Sequence, residues 1–367
     1  MFHNKEEKLT SWAQLRQAWG WRFGIFILMG FTLIALLAPV ITPYSYRDQN
    51  VTQGSRPPLT GYDIMTTRLA DCHLADTPVE WLCTLYLLGS DALGRDYYSR
   101  LVYGSRVYLL ITVFAVSVSF TVGTLYGLIM AYFQIQKQLS WRLLGVPFQV
   151  VHEGLAAFPG FFLAILLYTY LVPFIRLMHN EQLAQIDSAV VQQFIVWNEA
   201  AYGLPFLCLV IGLTCWLHTA KIVRRYLVLA WQKQADKEPT WRNLVACLRH
   251  IAPDLFKVLV MTEMLVVPTY FLTELFLAYA NIGVLPPYPT WSVMLAEAYS
   301  FIRLNLWLTV WPALTLTLLF MAFYAIGFSL RDQLKLAHWI DELAGEVPLP
   351  VEPNHKATDS EVYEFSN

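Results

Sequence analysis

The sequence predicts an all-α polytopic membrane protein with six transmembrane helices, and three observations carry that reading. The chain is 56% hydrophobic and only 14% charged, against roughly 25% charged in a soluble domain. Several windows of about 20 residues hold no charge, which is the length that crosses a bilayer. The segments between them are rich in Lys and Arg where they are short, which marks the cytoplasmic side. A net charge of −2 argues against a nucleic-acid partner. The five cysteines form no CxxC pair and no GxxxxGK[ST] run is present. Neither a metal site nor a nucleotide-binding loop is therefore suggested.

Residues 1–42 read as a cytoplasmic N-terminus and first span. Trp12, Trp19 and Trp21 suit a membrane interface, and Gly24 to Thr42 crosses the bilayer. A cleaved signal peptide competes with this reading. The leader is long and polar and no A-x-A site follows, which favours a retained anchor. Residues 43–104 form a polar, Pro-containing insertion, expected outside and irregular. It holds Cys72 and Cys83, which are expected to form a disulfide in an oxidising periplasm. The alternative is two unpaired thiols, with Cys83 packed near Trp81, Leu82 and Leu85.

Residues 105–335 hold the remaining five spans. The second is Val107 to Phe133, where Ser119, Gly123, Gly127 and Ala131 recur every fourth residue. Such a stripe lets another helix approach closely, although small residues are common in any membrane helix. A short inner loop, Gln134 to Arg142, leads to the third span, roughly Val146 to Val172, broken at Phe158-Pro159-Gly160. His152 and His218, near span ends, read as hydrogen-bonded packing residues. The fourth span is Ala200 to His218. Residues 219–254 then form a basic segment with Lys221, Arg224, Arg225, Lys233, Lys237, Arg242 and Arg249 against Asp236, Glu238 and Asp254. Pro239 cannot continue a helix, so two short helices with a bend are expected there. Leu255 to Ala280 is the fifth span and Leu306 to Leu330 the sixth, joined by an outer loop. Residues 336–367 form an acidic, Pro-containing tail expected to be disordered.

Two stretches carry a resemblance. LGSDALGRDYYSRLVYGSRVYLL, from Leu88, resembles the LGTDxxGRDxxSRxxxGxRxSL signature of inner-membrane permeases of ATP-binding-cassette peptide importers. IGVLPPYPTWSVMLAEAYSF, from Ile282, resembles that family's LGxxPPxPxWGxMLxxG run, and WLTVWPALTLTLLF and LRDQL follow in order. The resemblance implies a type I importer permease fold and the C-type subunit of a dipeptide or oligopeptide system. It implies a second homologous permease, two ATPase subunits that hold ATP and Mg, and a periplasmic binding protein. No cofactor is expected on this chain. The implied location is the bacterial inner membrane, with both termini cytoplasmic.

Residue by residue, the resemblance places the ATPase-docking EAA motif on Gln234, Ala235 and Asp236, with Thr240 at its Gly position. Arg249, His250 and Pro253 stand for the downstream HxLP, with Ala252 in place of the Leu. Pro159 and Glu274, together with Gly123 and Gly127, are expected to face the pathway or the partner permease. Gly94, Arg95 and Asp96 are expected to fold the entrance of the second span. Pro286, Pro287, Pro289 and Trp291 form the outer loop, where Ser292 replaces a family Gly. Relatives of this kind also move nickel chelates, sugars or antimicrobial peptides. A proton-coupled carrier using Glu263 and Glu274 is the reading from another class, but no inverted repeat of broken helices is visible. An intramembrane enzyme would need a motif such as HExxH or GxSxG, and neither occurs.

Overall fold

A computed structural model of the chain describes residues 19–61, 85–136, 138–179, 203–232, 238–284 and 286–333. Its helices are α1 (Trp19–Ile41), α2 (Tyr97–Ile135), α3 (Leu139–Ala156), α4 (Gly160–His179), α5 (Leu204–Gln232), α6 (Trp241–Tyr279), α7 (Trp291–Tyr299) and α8 (Trp307–Gln333). A short antiparallel pair, β1 (Thr60–Gly61) with β2 (Leu85–Tyr86), lies between α1 and α2. Among the described residues α1, α2, α5, α6 and α8 are long and apolar enough to cross a membrane. Helices α3 and α4 make a sixth crossing if taken as one broken span. The all-α polytopic class is as the sequence predicts.

The third crossing departs most from a straight helix, because α3 and α4 meet at 100°. Pro159 has no N–H to return to the carbonyl of Leu155, and its ring crowds that turn. Helix α3 therefore stops at Ala156 and α4 restarts at Gly160. Pro147, by contrast, is carried inside α3. The inner loop before α3 is also shorter than expected, since α2 runs to Ile135 and α3 begins at Leu139.

Residues 219–254 do not form the two short helices expected of them. Helix α5 continues unbroken to Gln232, and α6 starts at Trp241 with Thr240 as its N-cap. Val223, Tyr226 and Leu227 of α5 bury with Leu244, Cys247 and Ile251 of α6 in one apolar cluster. That burial keeps both helices going past the membrane, so Pro239 interrupts only the connection. Helix α6 has 39 residues, about 58 Å at 1.5 Å per residue and roughly twice the hydrocarbon thickness.

The most extensive helix pairing is α2 against α5. A Cβ on Gly123 would lie 2.8 Å from the Trp216 carbonyl oxygen, and one on Gly127 2.6 Å from that of Ala220. Ser119, Gly123, Gly127 and Ala131 are all buried on this seam. The expectation that Gly123 and Gly127 meet a partner permease is corrected: α5 of the same chain covers the stripe. The insertion between α1 and α2 carries a short strand pair within its described residues. Its described parts pair as β1 and β2 and fold onto the start of α2.

Candidate functional site

The N-terminal end of α2, called the outer end after the sequence expectation, is built from Asp91 to Arg100. Gly94 has φ +70°, and a Cβ there would lie 1.7 Å from the Asn50 carbonyl oxygen. Only glycine lets the two segments pass so closely. Asp96 caps α2, accepting the Ser99 N–H at 2.9 Å, the role short acidic residues favour at a helix start. Burial pushes the Asp96 carboxyl up to about 6, against the downward pull of the Ser99 donors.

Around this cap lies a four-charge network. Arg95 bonds Asp91 and reaches Glu297 of α7 at 3.0 Å. Arg100 bonds Asp91 at 2.7 Å and Glu297 at 2.8 Å. Two guanidinium groups thus share two carboxylates across segments far apart in the chain. Arg100 is fully buried, and its Nε and Nη2 have no hydrogen-bond partner among the described residues. A buried charge of this kind is tolerable only while its carboxylates stay in place.

Deeper in the molecule Glu274 accepts hydrogen bonds from Tyr108 at 2.6 Å and Thr290 at 2.8 Å. The Tyr108 hydroxyl also meets that of Ser292. Trp291 stacks on Tyr108 at 4.5 Å and donates to the Leu101 carbonyl at 2.8 Å. Glu274 is only 1% exposed, closed in by its own chain. The expectation that Glu274 faces the pathway or a partner permease is therefore corrected, because intrachain hydroxyls take up both its oxygens. Ser292, where the resembled family has Gly, adds one more hydroxyl to that set. Glu263 behaves similarly: it accepts from Ser119 and Thr219 at 2.7 Å and from Tyr270 at 2.8 Å, tying α2, α5 and α6 together.

A groove of about 650 Å³ opens where the α3–α4 break faces α5 and α6. Phe158 and Phe161 line it from the break, Thr214 and His218 from α5, and Tyr270 and Thr273 from α6. Pro159 sits exposed between two lining residues, Phe158 and Gly160. On the outer loop Pro286 is exposed, Pro287 half-buried, and Pro289 and Trp291 buried. At the basic end, Thr240, Arg249, His250 and Pro253 are exposed, in line with Arg242 and Ala246. Leu244, Cys247 and Ile251 turn inward, so the helical period leaves one face of α6 open. Gln234, Ala235 and Asp236 lie outside the described residues, as do Cys72 and Cys83.

The residues missed by reading the sequence were Asp91, Arg100, Tyr108 and Glu297. Each had a signal of sorts, since Asp91 and Arg100 sit inside the LGSD…SR run. Glu297 is a lone carboxylate in an otherwise apolar stretch after Trp291.

Fold and geometry define a polytopic helical membrane protein whose relatives are transport permeases. Residues 10–58 match the family model described as the N-terminal TM domain of oligopeptide transport permease C. The dipeptide transport system permease protein DppC of Alkalihalophilus pseudofirmus is 26% identical over 85% of this chain and 84% of its own length. The oligopeptide transport system permease protein OppC of Haemophilus influenzae is 26% identical over 84% and 82%. A glutathione transport system permease protein GsiD of Escherichia coli is 29% identical over 67% and 70%. The chain is similar to permeases of dipeptide, oligopeptide and glutathione transport systems.

Proposed function

We propose that this chain is a transmembrane permease subunit of an ATP-driven peptide importer. The likeness to a dipeptide permease along 85% of the chain carries the reading. The geometry supports it at two places. The groove at the α3–α4 break presents hydroxyls and an imidazole beside aromatic rings and is open at the side of the molecule. Lipid is a poor cover for such polar groups, whereas a second permease would enclose a path lined for peptide amides and side chains. The exposed face of Arg242, Ala246, Arg249, His250 and Pro253 rides on the rigid start of α6. An ATPase subunit gripping that face would move the whole helix as a lever, biasing inward against outward states by differential binding.

In this reading ATP and Mg sit on partner subunits and a binding protein delivers peptide from outside. The membrane is the bacterial inner membrane, with both termini cytoplasmic. The test is uptake of a labelled dipeptide by proteoliposomes holding the assembled complex. Uptake that needs internal ATP and survives a proton ionophore supports the proposal. Uptake driven by a proton gradient alone, without ATP, would overturn it.

A further inference from the structure

A cavity of about 870 Å³ lies at the basic end, between the end of α2, α3 and the latter half of α5. Arg142 from α3 and Lys221, Arg224 and Arg225 from α5 line it. The opposing acidic group among its lining residues is Glu153, which stands 3.9 Å from Arg224 and is 59% exposed. A pair so long and so wet neutralises little. The Arg224 side chain is 13% exposed, and its Nε has no hydrogen-bond partner among the described residues. His152, 2% exposed, also lines the cavity; it holds the Leu217 carbonyl through Nε2, and its Nδ1 has no partner among the described residues.

The remaining wall is apolar. Phe133, Leu143 and Val146 line it, and Leu143 and Val146 of α3 are also widely exposed at 59% and 48%. The cavity wall is therefore continuous with an exposed apolar surface that acyl chains suit. Lys221 and Arg224 come 17 and 20 residues after Leu204, the start of α5, about 26–30 Å along the helix axis and close to the hydrocarbon thickness, which puts them at headgroup depth. A surplus of positive charge beside an apolar wall at that depth matches an amphiphile with an anionic head. A free phosphoanion would leave the apolar wall without a partner. A hydrophilic acidic segment would leave the exposed apolar side of α3 uncovered.

We propose that this cavity binds the phosphate group of an acidic phospholipid, which holds α3 against α5. His152, Ala156 and Lys221 also line the groove at the α3–α4 break, so the two spaces adjoin. Native mass spectrometry of the full chain, released from nanodiscs of phosphatidylglycerol mixed with phosphatidylcholine, tests it. The expected result is selective retention of phosphatidylglycerol. The double variant Lys221→Gln, Arg224→Gln should retain roughly twenty-fold less, at about fivefold per cation near a membrane surface. Glu153→Gln, at an exposed position that does not threaten folding, should retain several-fold more. Equal retention of the two lipids, or no change in either variant, overturns the proposal. Displacement of the lipid by inorganic phosphate alone would make the cavity a free-anion site and overturn it too. So would loss of the lipid on assembly with the partner subunits, which would assign the cavity to a protein contact.

Discussion

At the outer end, Arg95 and Arg100 are buried and matched by Asp91 and Glu297. At the basic end, Arg142, Lys221 and Arg224 line an open cavity whose lining holds one carboxylate, Glu153. The same residue types therefore serve opposite ends of the physics. A buried network must be complete, because removing one partner strands the others in a low dielectric. An open cluster can stay unbalanced, because water and counter-ions screen it. The outer network therefore holds one geometry together, joining the start of α2 to α7. The basic end keeps charge available for something outside the chain.

Stability measurements on single variants would break this contrast most directly. Arg100→Ala leaves two carboxylates, Asp91 and Glu297, to share Arg95 alone and should lower stability by about 3–5 kcal/mol. Lys221→Ala, at an exposed position of the other end, should change it by less than about 1 kcal/mol. Denaturation of both variants in the same detergent decides the matter. Equal losses would mean that the two clusters do the same job.

Asp96 sharpens the outer half of the comparison through pH. Its ordinary value of 3.8 rises to about 6 in the folded chain, so the folded state holds the proton more tightly than the unfolded one. Its contribution is therefore most favourable below about 4, declines as pH climbs to about 6, and is flat above that. The span of roughly two units corresponds to on the order of 2–3 kcal/mol. Asp96→Asn keeps an N-cap acceptor and should erase that slope. Parallel stability–pH curves for the two proteins would show that Asp96 carries no such penalty.

Ser292 gives a smaller effect. Ser292→Ala removes a hydroxyl from Tyr108, but Tyr108 keeps Glu274 as its acceptor. No buried donor is orphaned, so a loss of about 1 kcal/mol is expected. A loss several times larger in thermal unfolding would mean that Ser292 is essential to the Glu274 network.

Much of this architecture was legible in the sequence. The uncharged windows locate the spans, and Pro159 marks the break that becomes the 100° bend. The Gly123 and Gly127 stripe announced a close helix contact, but not with which helix, since spacing reports a face and never its partner. Glu274 was misread for a related reason: a membrane carboxylate signals a polar partner, and here the partners are Tyr108 and Thr290 of the same chain. Pro239 promised two short helices over 219–254. The apolar face running through Tyr226, Leu227, Leu244 and Ile251 prevailed over that local signal, because burial along two helices outweighs one break.

The smallest change in stability should accompany the largest change in coupling, on the open face of α6. Arg249, His250 and Pro253 are exposed and outside every buried network described above. Arg249→Glu should therefore shift stability by no more than about 0.5 kcal/mol, the usual range for a surface change. The same substitution reverses a charge on the face proposed to meet an ATPase subunit. It should reduce ATP-dependent uptake by the assembled complex while leaving the melting of the isolated chain untouched. The two readouts must come apart for the docking assignment to stand. Unaltered uptake by an assembled Arg249→Glu complex would move the grip elsewhere, to residues 233–237 or to the end of α5. A large drop in melting temperature would instead show that this face is held within the chain, as the outer network is.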